Sequence, residues 1–185
     1  MPPPIPVVLE PYDPIWPALA KQEATRLVDA IGDGLAAVHH VGSTAICGIR
    51  AKPILDLLPV FDALTAMEHA RYAIESLGYE WWGEYGLPGR RYCTLDDTAT
   101  GRRRAQLHCY VDGSPEIERH LAFRDYLRAR ADVASAYDAE KARCRDVHPL
   151  DSHAYSVSKS EWICRVEAEA LEFYRRAGRL KFRNP

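Results

Sequence analysis

The chain has 185 residues, 47% hydrophobic and 27% charged, with 24 Lys and Arg against 26 Asp and Glu for a net charge of −2. That much apolar residue builds a real core, which excludes a disordered chain and a small disulfide-stapled scaffold. The balanced charge excludes a global pull toward nucleic acid or anionic membrane and leaves only local basic patches. Five cysteines, Cys47, Cys93, Cys109, Cys144 and Cys164, form no C-x-x-C pair and are odd in number. Reduced thiols and a cytoplasmic location are therefore expected. The start, Met1-Pro2-Pro3-Pro4, has no basic stretch leading into an apolar one and does not read as a signal peptide. No apolar run approaches the length of a bilayer span, so no membrane partner is expected.

In chain order, Asp13-Pro14 reads as an N-cap and a first-turn proline. Apolar residues at Trp16, Leu19, Ala20, Leu27, Val28 and Ile31 then predict a helix that Gly32 ends. Ala36 to Val41 predicts a strand running into a tight turn at Gly42. Pro53 to Val60 is nearly all apolar and predicts a central strand covered on both faces. Asp62 is read as the cap of a helix over residues 63–77, closed by Gly78. Tyr79–Tyr85, Arg91–Asp96 and Ala105–Val111 read as three further strands. After Gly113 the pattern turns helical. One helix runs from Ser114-Pro115 to about Arg130, a second restarts at Asp132 and stops before Pro149, and a third spans residues 151–177 with Gly178 as its stop. The layout is α+β: a helix-covered sheet over residues 1–113 and a C-terminal helical segment over 114–185, packed as one unit.

The stretch from His40 to Asp56 carries the chemistry. Gly42-Ser43 follows a strand, where backbone N–H groups and a hydroxyl suit a phosphate. Asp56 stands alone in an apolar strand, a costly place for a carboxylate unless it is paired or binds a cation. Lys52, just before that strand, is placed to neutralise Asp56 or to meet a phosphate. Taken singly, a Gly-Ser turn is usually only a turn and a strand Asp is sometimes a structural ion pair.

Together these residues resemble the nucleotidyltransferase superfamily, whose pattern is an apolar strand, Gly-Ser, a short helix and a strand bearing paired carboxylates. The chain resembles the GrpB family more closely. The blocks that carry this are Pro11-Tyr12-Asp13-Pro14 with Trp16-Pro17, His40 to Asp56, Gly83-Glu84 with Gly86 to Tyr92, and Leu107-His108. Gly113 to Glu116, His120 to Arg128, and Tyr155 with Lys159 extend it toward Phe173. The resemblance implies a nucleotidyltransferase-like mixed sheet flanked by helices. It also implies an enzyme that uses a nucleoside triphosphate with Mg²⁺ or Mn²⁺ to modify a small-molecule acceptor, or to activate it for ligation. Some family members are fused to dephospho-CoA kinase, which makes a protein partner in a CoA-related or biosynthetic pathway an expectation, with a non-catalytic binding module as the alternative. Leu58 departs from the pattern, because it stands where the second carboxylate belongs.

Asp56 with Glu84 is therefore the expected metal pair, and Asp56, Glu84 and His108 are the expected catalytic residues. Gly42, Ser43, Lys52, Arg91, Arg124 and Lys159 are the expected phosphate-binding set. His120, Arg124 and Arg128 fall at i, i+4 and i+8, one basic stripe able to close over a triphosphate or simply to face solvent. Arg102 to Arg104 read as a solvated hairpin tip, Cys47 as packing, and no long basic face for a nucleic acid is present.

Overall fold

The computed structural model describes residues 3–177. Strands β1 (Leu35–Val41), β2 (Leu55–Phe61), β3 (Glu80–Trp81), β4 (Arg91–Asp96) and β5 (Arg103–Val111) form one mixed sheet in the order β1-β2-β5-β4-β3. β2 and β5 run parallel, and the other pairs are antiparallel. Helices α1 (Trp16–Ile31), α2 (Leu64–His69) and α3 (Arg71–Ser76) cover one face. The other face carries α4 (Pro115–Ala129), α5 (Ala131–Val147) and α7 (Ser160–Arg176), with the short α6 (Ser152–Ser158) between the last two.

Alternation along β2 explains how one strand serves two cores. Leu57 and Phe61 pack with Leu27, Met67, Ile74 and Leu107 beneath α1 to α3. Leu58 and Val60 pack with Tyr110, Leu121, Tyr137 and Val166 on the opposite side. Leu57 and Leu58 are fully buried, each contributing about 1.5–3 kcal/mol of transfer free energy. The expected α+β layout with a mixed sheet is therefore what forms. No helix among the described residues is long and apolar enough to cross a membrane.

Several expected elements differ. The first helix begins at Trp16 rather than at Asp13-Pro14, with Pro17 in its first turn, because the Asp13 carboxylate accepts from Ile15 N–H and closes a turn instead. Leu19 and Val28 on that helix are exposed. Asp62 caps nothing: Ala63 precedes α2, and the helical path breaks at Ala70 into two pieces. β2 is interior, but β5 holds the centre of the sheet. The strand expected over 79–85 shrinks to β3, because the chain turns through Gly83, Gly86 and the left-handed Tyr85 (φ 47°). The helix expected over 151–177 breaks at Lys159. Hydroxyls of Ser156 and Ser160 bond the carbonyls of Ser152 and Val157 there and compete with the backbone ladder. Gly178, its expected stop, lies outside the described residues. Asp151 does cap α6, accepting from His153 and Ala154 N–H.

Two local features set up the site. Pairing between β2 and β5 stops after Leu57–Leu107 and resumes at Val60–Tyr110, because Pro59 has no N–H to donate. His108 lies opposite that gap. The segment from Ile5 to Glu10 then ties α6 to the sheet. Val7 N–H donates to Pro149 O, Ser152 N–H to Ile5 O, and Glu10 pairs with Ala51.

Candidate functional site

Val41 at the end of β1 pairs with Asp56 near the start of β2, so the Gly42 turn rises beside the Asp56 carboxylate. Gly42 has φ 70°, a conformation that glycine takes without strain. Ser43–Ala45 then makes one 3-10 turn. Behind it lies a cavity of about 190 Å³, lined by Gly42, Ser43, Thr44, Lys52, Asp56, Gln106, His108, His120, Lys141, Tyr155 and Lys159 among others. Asp56 and Gln106 are register partners, and His108 follows two residues on, so the pleat turns all three to one face.

Asp56 is the only carboxylate that lines the cavity among the described residues. His108 Nε2 stands 3.5 Å from Asp56 Oδ1, while His108 Nδ1 is buried without a hydrogen-bond partner. The His120 ring centroid is 5.5 Å from that of His108. Burial, reinforced by His108 and Arg119, holds His120 well below the ordinary imidazole value. His40 Nε2 is 2.9 Å from Thr44 Oγ1, and burial pushes His40 down to about 4 against the opposing pull of Asp56.

Three lysines face this single acid. Lys141 is 1% exposed, donates to the Arg50 carbonyl and lies 3.6 Å from Asp138. Burial pushes it down to about 8, with Asp138 opposing. Lys52 and Lys159 converge on one ring: their Nζ atoms lie 5.7 Å and 4.5 Å from the Tyr155 centroid. Burial pushes Lys52 down to about 8, and the Lys159 charge adds to this while Asp56 opposes it. Lys159 is also lowered by burial, with Asp56 opposing.

The structure brings together Gly42, Ser43, Lys52, Asp56, His108 and Lys159 from the residues singled out by sequence. It places the other three elsewhere. Glu84 is 53% exposed and caps its own loop, its Oε1 accepting from Gly89 N–H at 2.7 Å. Arg91 is paired with Glu68 and lies 3.6 Å from Glu84. Arg124 bonds the His40 carbonyl at 3.0 Å and the Asp125 carboxylate at 2.9 Å. Arg128, one turn on, bonds the Ala45 carbonyl at 2.8 Å. The basic stripe of α4 therefore holds the end of β1 and the end of the Ser43–Ala45 turn, and of its members only His120 lines the cavity. Arg103 is largely buried and paired with Asp96, not part of a solvated tip, whereas Cys47 is exposed.

Sequence reasoning missed Lys141, Gln106 and Thr44. A signal for Lys141 exists, because it interrupts the buried stripe Ala134, Tyr137, Lys141, Cys144 of α5. A lysine in the apolar line of a helix marks a charge with a specific partner.

Paired divalent ions do not fit these side chains. No three His, Cys, Asp or Glu residues cluster as metal ligands among the described residues. Leu58, at the place of the second carboxylate, is fully buried in the core beneath α4. Glu84 does not line the cavity, and the remaining charges in its wall are ammonium groups. Mg²⁺ binds through one or two carboxylates plus substrate phosphates and keeps several waters, and here a single carboxylate stands among three ammonium groups that repel a cation.

A larger cleft of about 620 Å³ adjoins the cavity and shares Lys52, Gln106, His108 and Ser156 with it. Tyr85 and Tyr92 stack along it with centroids 4.9 Å apart. Arg90 lies 5.6 Å and 5.0 Å from their ring centroids and donates to the Tyr85 carbonyl at 2.6 Å.

The model of the family described as GrpB protein matches residues 6–169. UPF0157 protein YqkA of Bacillus subtilis is 36% identical over 86% of this chain, which spans 46% of that protein, about half its length. The crystal structure of the conserved protein GrpB from Enterococcus faecalis superposes with a TM-score of 0.83 at 34% identity, covering 90% of this chain and 99% of that one. Cid1 in complex with its short product ApU overlaps at a TM-score of 0.46 and 16% identity, over 66% of this chain and 38% of that one. No residue role passes from that distant overlap. The extent of the family match and the near-complete superposition agree: this chain belongs to the GrpB family.

Proposed function

We propose that this protein is a nucleotidyltransferase-like enzyme that binds a nucleoside triphosphate and modifies a small-molecule acceptor. The observation that carries the reading is the cavity behind Gly42-Ser43, where Lys52 and Lys159 face a hydroxyl and one carboxylate. At about 190 Å³ it is smaller than a site for a whole nucleotide, which takes roughly 300 Å³ or more. It suits the phosphates, and the adjoining cleft along Tyr85 and Tyr92 has room for the remainder.

In this reading the Asp56 carboxylate takes the proton of the acceptor hydroxyl, and His108, whose Nε2 lies 3.5 Å from Asp56 Oδ1, helps to hold that carboxylate in place. The acceptor oxygen bonds the α-phosphorus, the bond to the bridging oxygen breaks, and pyrophosphate leaves with the electron pair. Lys52 and Lys159 offset the charge on the phosphate oxygens. The Mg²⁺ or Mn²⁺ implied by the resemblance has no protein ligand set beyond Asp56, and no step is routed through it.

The test is thermal unfolding with ATP, GTP, CTP or UTP, in wild type and in Lys159→Gln. A ligand that binds only the folded state raises the midpoint by mass action. A nucleotide-dependent rise that shrinks in Lys159→Gln supports the reading, and no rise with any nucleotide at millimolar concentration overturns it.

The burial of Leu58 favours a second reading, a non-catalytic module whose occupant binds without turnover. A protein partner in a CoA-related or biosynthetic pathway belongs with it. Nucleotide binding without pyrophosphate release across a panel of small acceptors, followed by ³¹P NMR, would select it.

A further inference from the structure

The cavity wall carries more positive charge than its own acids balance. Among the described residues, neither the Lys52 nor the Lys159 ammonium closes an ion pair or a hydrogen bond, and both stand over the Tyr155 ring. Lys141 is different, because it is spent on the Arg50 carbonyl and Asp138. Asp56 is the one carboxylate in reach, and His108 already stands against it. Two ammonium groups held near each other repel, and water relieves this poorly in a half-buried wall. A cation arriving at Asp56 meets that same positive field, whereas an anion is drawn in by it.

We propose that Lys52 and Lys159, seated on Tyr155, are the built-in counter-charge of this site, so that it takes a polyphosphate anion without a divalent cation. This rests on the nucleotide reading above and deepens it. In the superfamily pattern, paired carboxylates recruit metal ions that neutralise phosphate charge. Here the second carboxylate position is the buried Leu58, and two lysines on other elements face the first. Lys52 comes from the chain just before β2, and Lys159 from the break between α6 and α7. The break matters, because Lys159 leaves the regular helix where its Nζ reaches back over Tyr155, one turn earlier. Tyr155 is 1% exposed and so gives both ammonium groups a fixed platform. The aromatic face also attracts each cation and holds it in the wall while no anion is bound.

The test is calorimetric titration of inorganic triphosphate, and of ATP, into the full chain, first in EDTA and then in magnesium. Wild type is expected to bind both anions in EDTA, with magnesium weakening binding by competing for the phosphate oxygens. Lys52→Gln and Lys159→Gln are each expected to lose at least about tenfold in affinity. Both variants should keep or raise the unliganded unfolding midpoint, because each removes one of two repelling charges, and this separates a lost contact from a lost fold. Asp56→Asn should keep metal-free binding. Binding that appears only with Mg²⁺ or Mn²⁺ and vanishes in Asp56→Asn overturns the inference while leaving the nucleotide reading standing. Metal-free binding unchanged in both lysine variants also overturns it. No binding of either anion in either buffer removes the nucleotide reading, and the inference falls with it.

Discussion

Gly42 and Asp56 are in contact with no room for a methyl group between them. A Cβ on Gly42 would lie 2.9 Å from Asp56 Cγ and closer still to Oδ2, on a backbone with φ 70°. The glycine thus serves both the turn and the carboxylate. Gly42→Ala is expected to cost about 1–3 kcal/mol from backbone strain, with the clash added. The chain should melt several degrees lower, at about 2–4 °C per kcal/mol. In an Asp56→Ala background the same change should cost less, because the contacts with Oδ2 and Cγ are gone, while the strained φ and the 2.9 Å approach to the residue-56 Cβ remain. A double-mutant cycle on unfolding free energies checks this, and strictly additive values would sink the contact argument.

Asp138 is the joint between α5 and the loop that ends at Lys52. It accepts from Arg50 N–H at 2.8 Å, Arg50 Nε at 2.9 Å and Arg50 Nη2 at 2.8 Å, and it lies beside the buried Lys141. Asp138→Ala leaves Lys141 buried without its acid and is expected to cost about 3–5 kcal/mol. The midpoint should fall by on the order of 10 °C. Adding Lys141→Met to Asp138→Ala should recover part of this loss, read from the same denaturation curves.

Stability should fall with acid in a window set by His40. Its folded value is pushed down to about 4 from the ordinary 6.5, first by burial, with Arg128 and Arg124 reinforcing and Asp56 opposing. The unfolded chain therefore binds the proton first. The stabilisation is complete above pH 6.5 and is lost as pH drops toward 4. His39 and His120 are shifted the same way by burial and share the slope. His40→Gln should flatten part of the midpoint-against-pH curve between 4 and 6.5. An unchanged curve would remove His40 from this account.

Anion binding should weaken in mild alkali. Lys52 sits at about 8 in the free protein, so near that pH it is partly neutral, and a bound polyphosphate would recharge it. Binding at pH 8 should take up roughly half a proton for this group. Titrations in buffers of different ionisation enthalpy measure that number directly. Affinity should drop between pH 7 and 9, and Lys52→Gln should remove most of its share of the uptake.

The strand, the Gly42-Ser43 turn and the strand carboxylate at Asp56 were legible in order along the chain, because strand pairing between near neighbours needs only local pattern and one tight turn. Tyr155 and Lys159 were legible as one face of a helix, and they still meet although the helix breaks at Lys159. Glu84 was misplaced because sequence shows a carboxylate but not the backbone N–H of Gly89 that captures it. Arg91 and Arg124 were misplaced for a related reason. A guanidinium takes whichever acceptor packing delivers, here Glu68, 23 residues away, and the His40 carbonyl, 84 residues away. The sign of the cavity's charge also belongs to packing. Lys52, Lys141 and Lys159 lie far apart in the chain and meet only once α5 and the α6–α7 junction close over the sheet. Composition near neutrality gives no hint of that concentration. Charge summed along a chain says nothing about which charges burial forces into one wall.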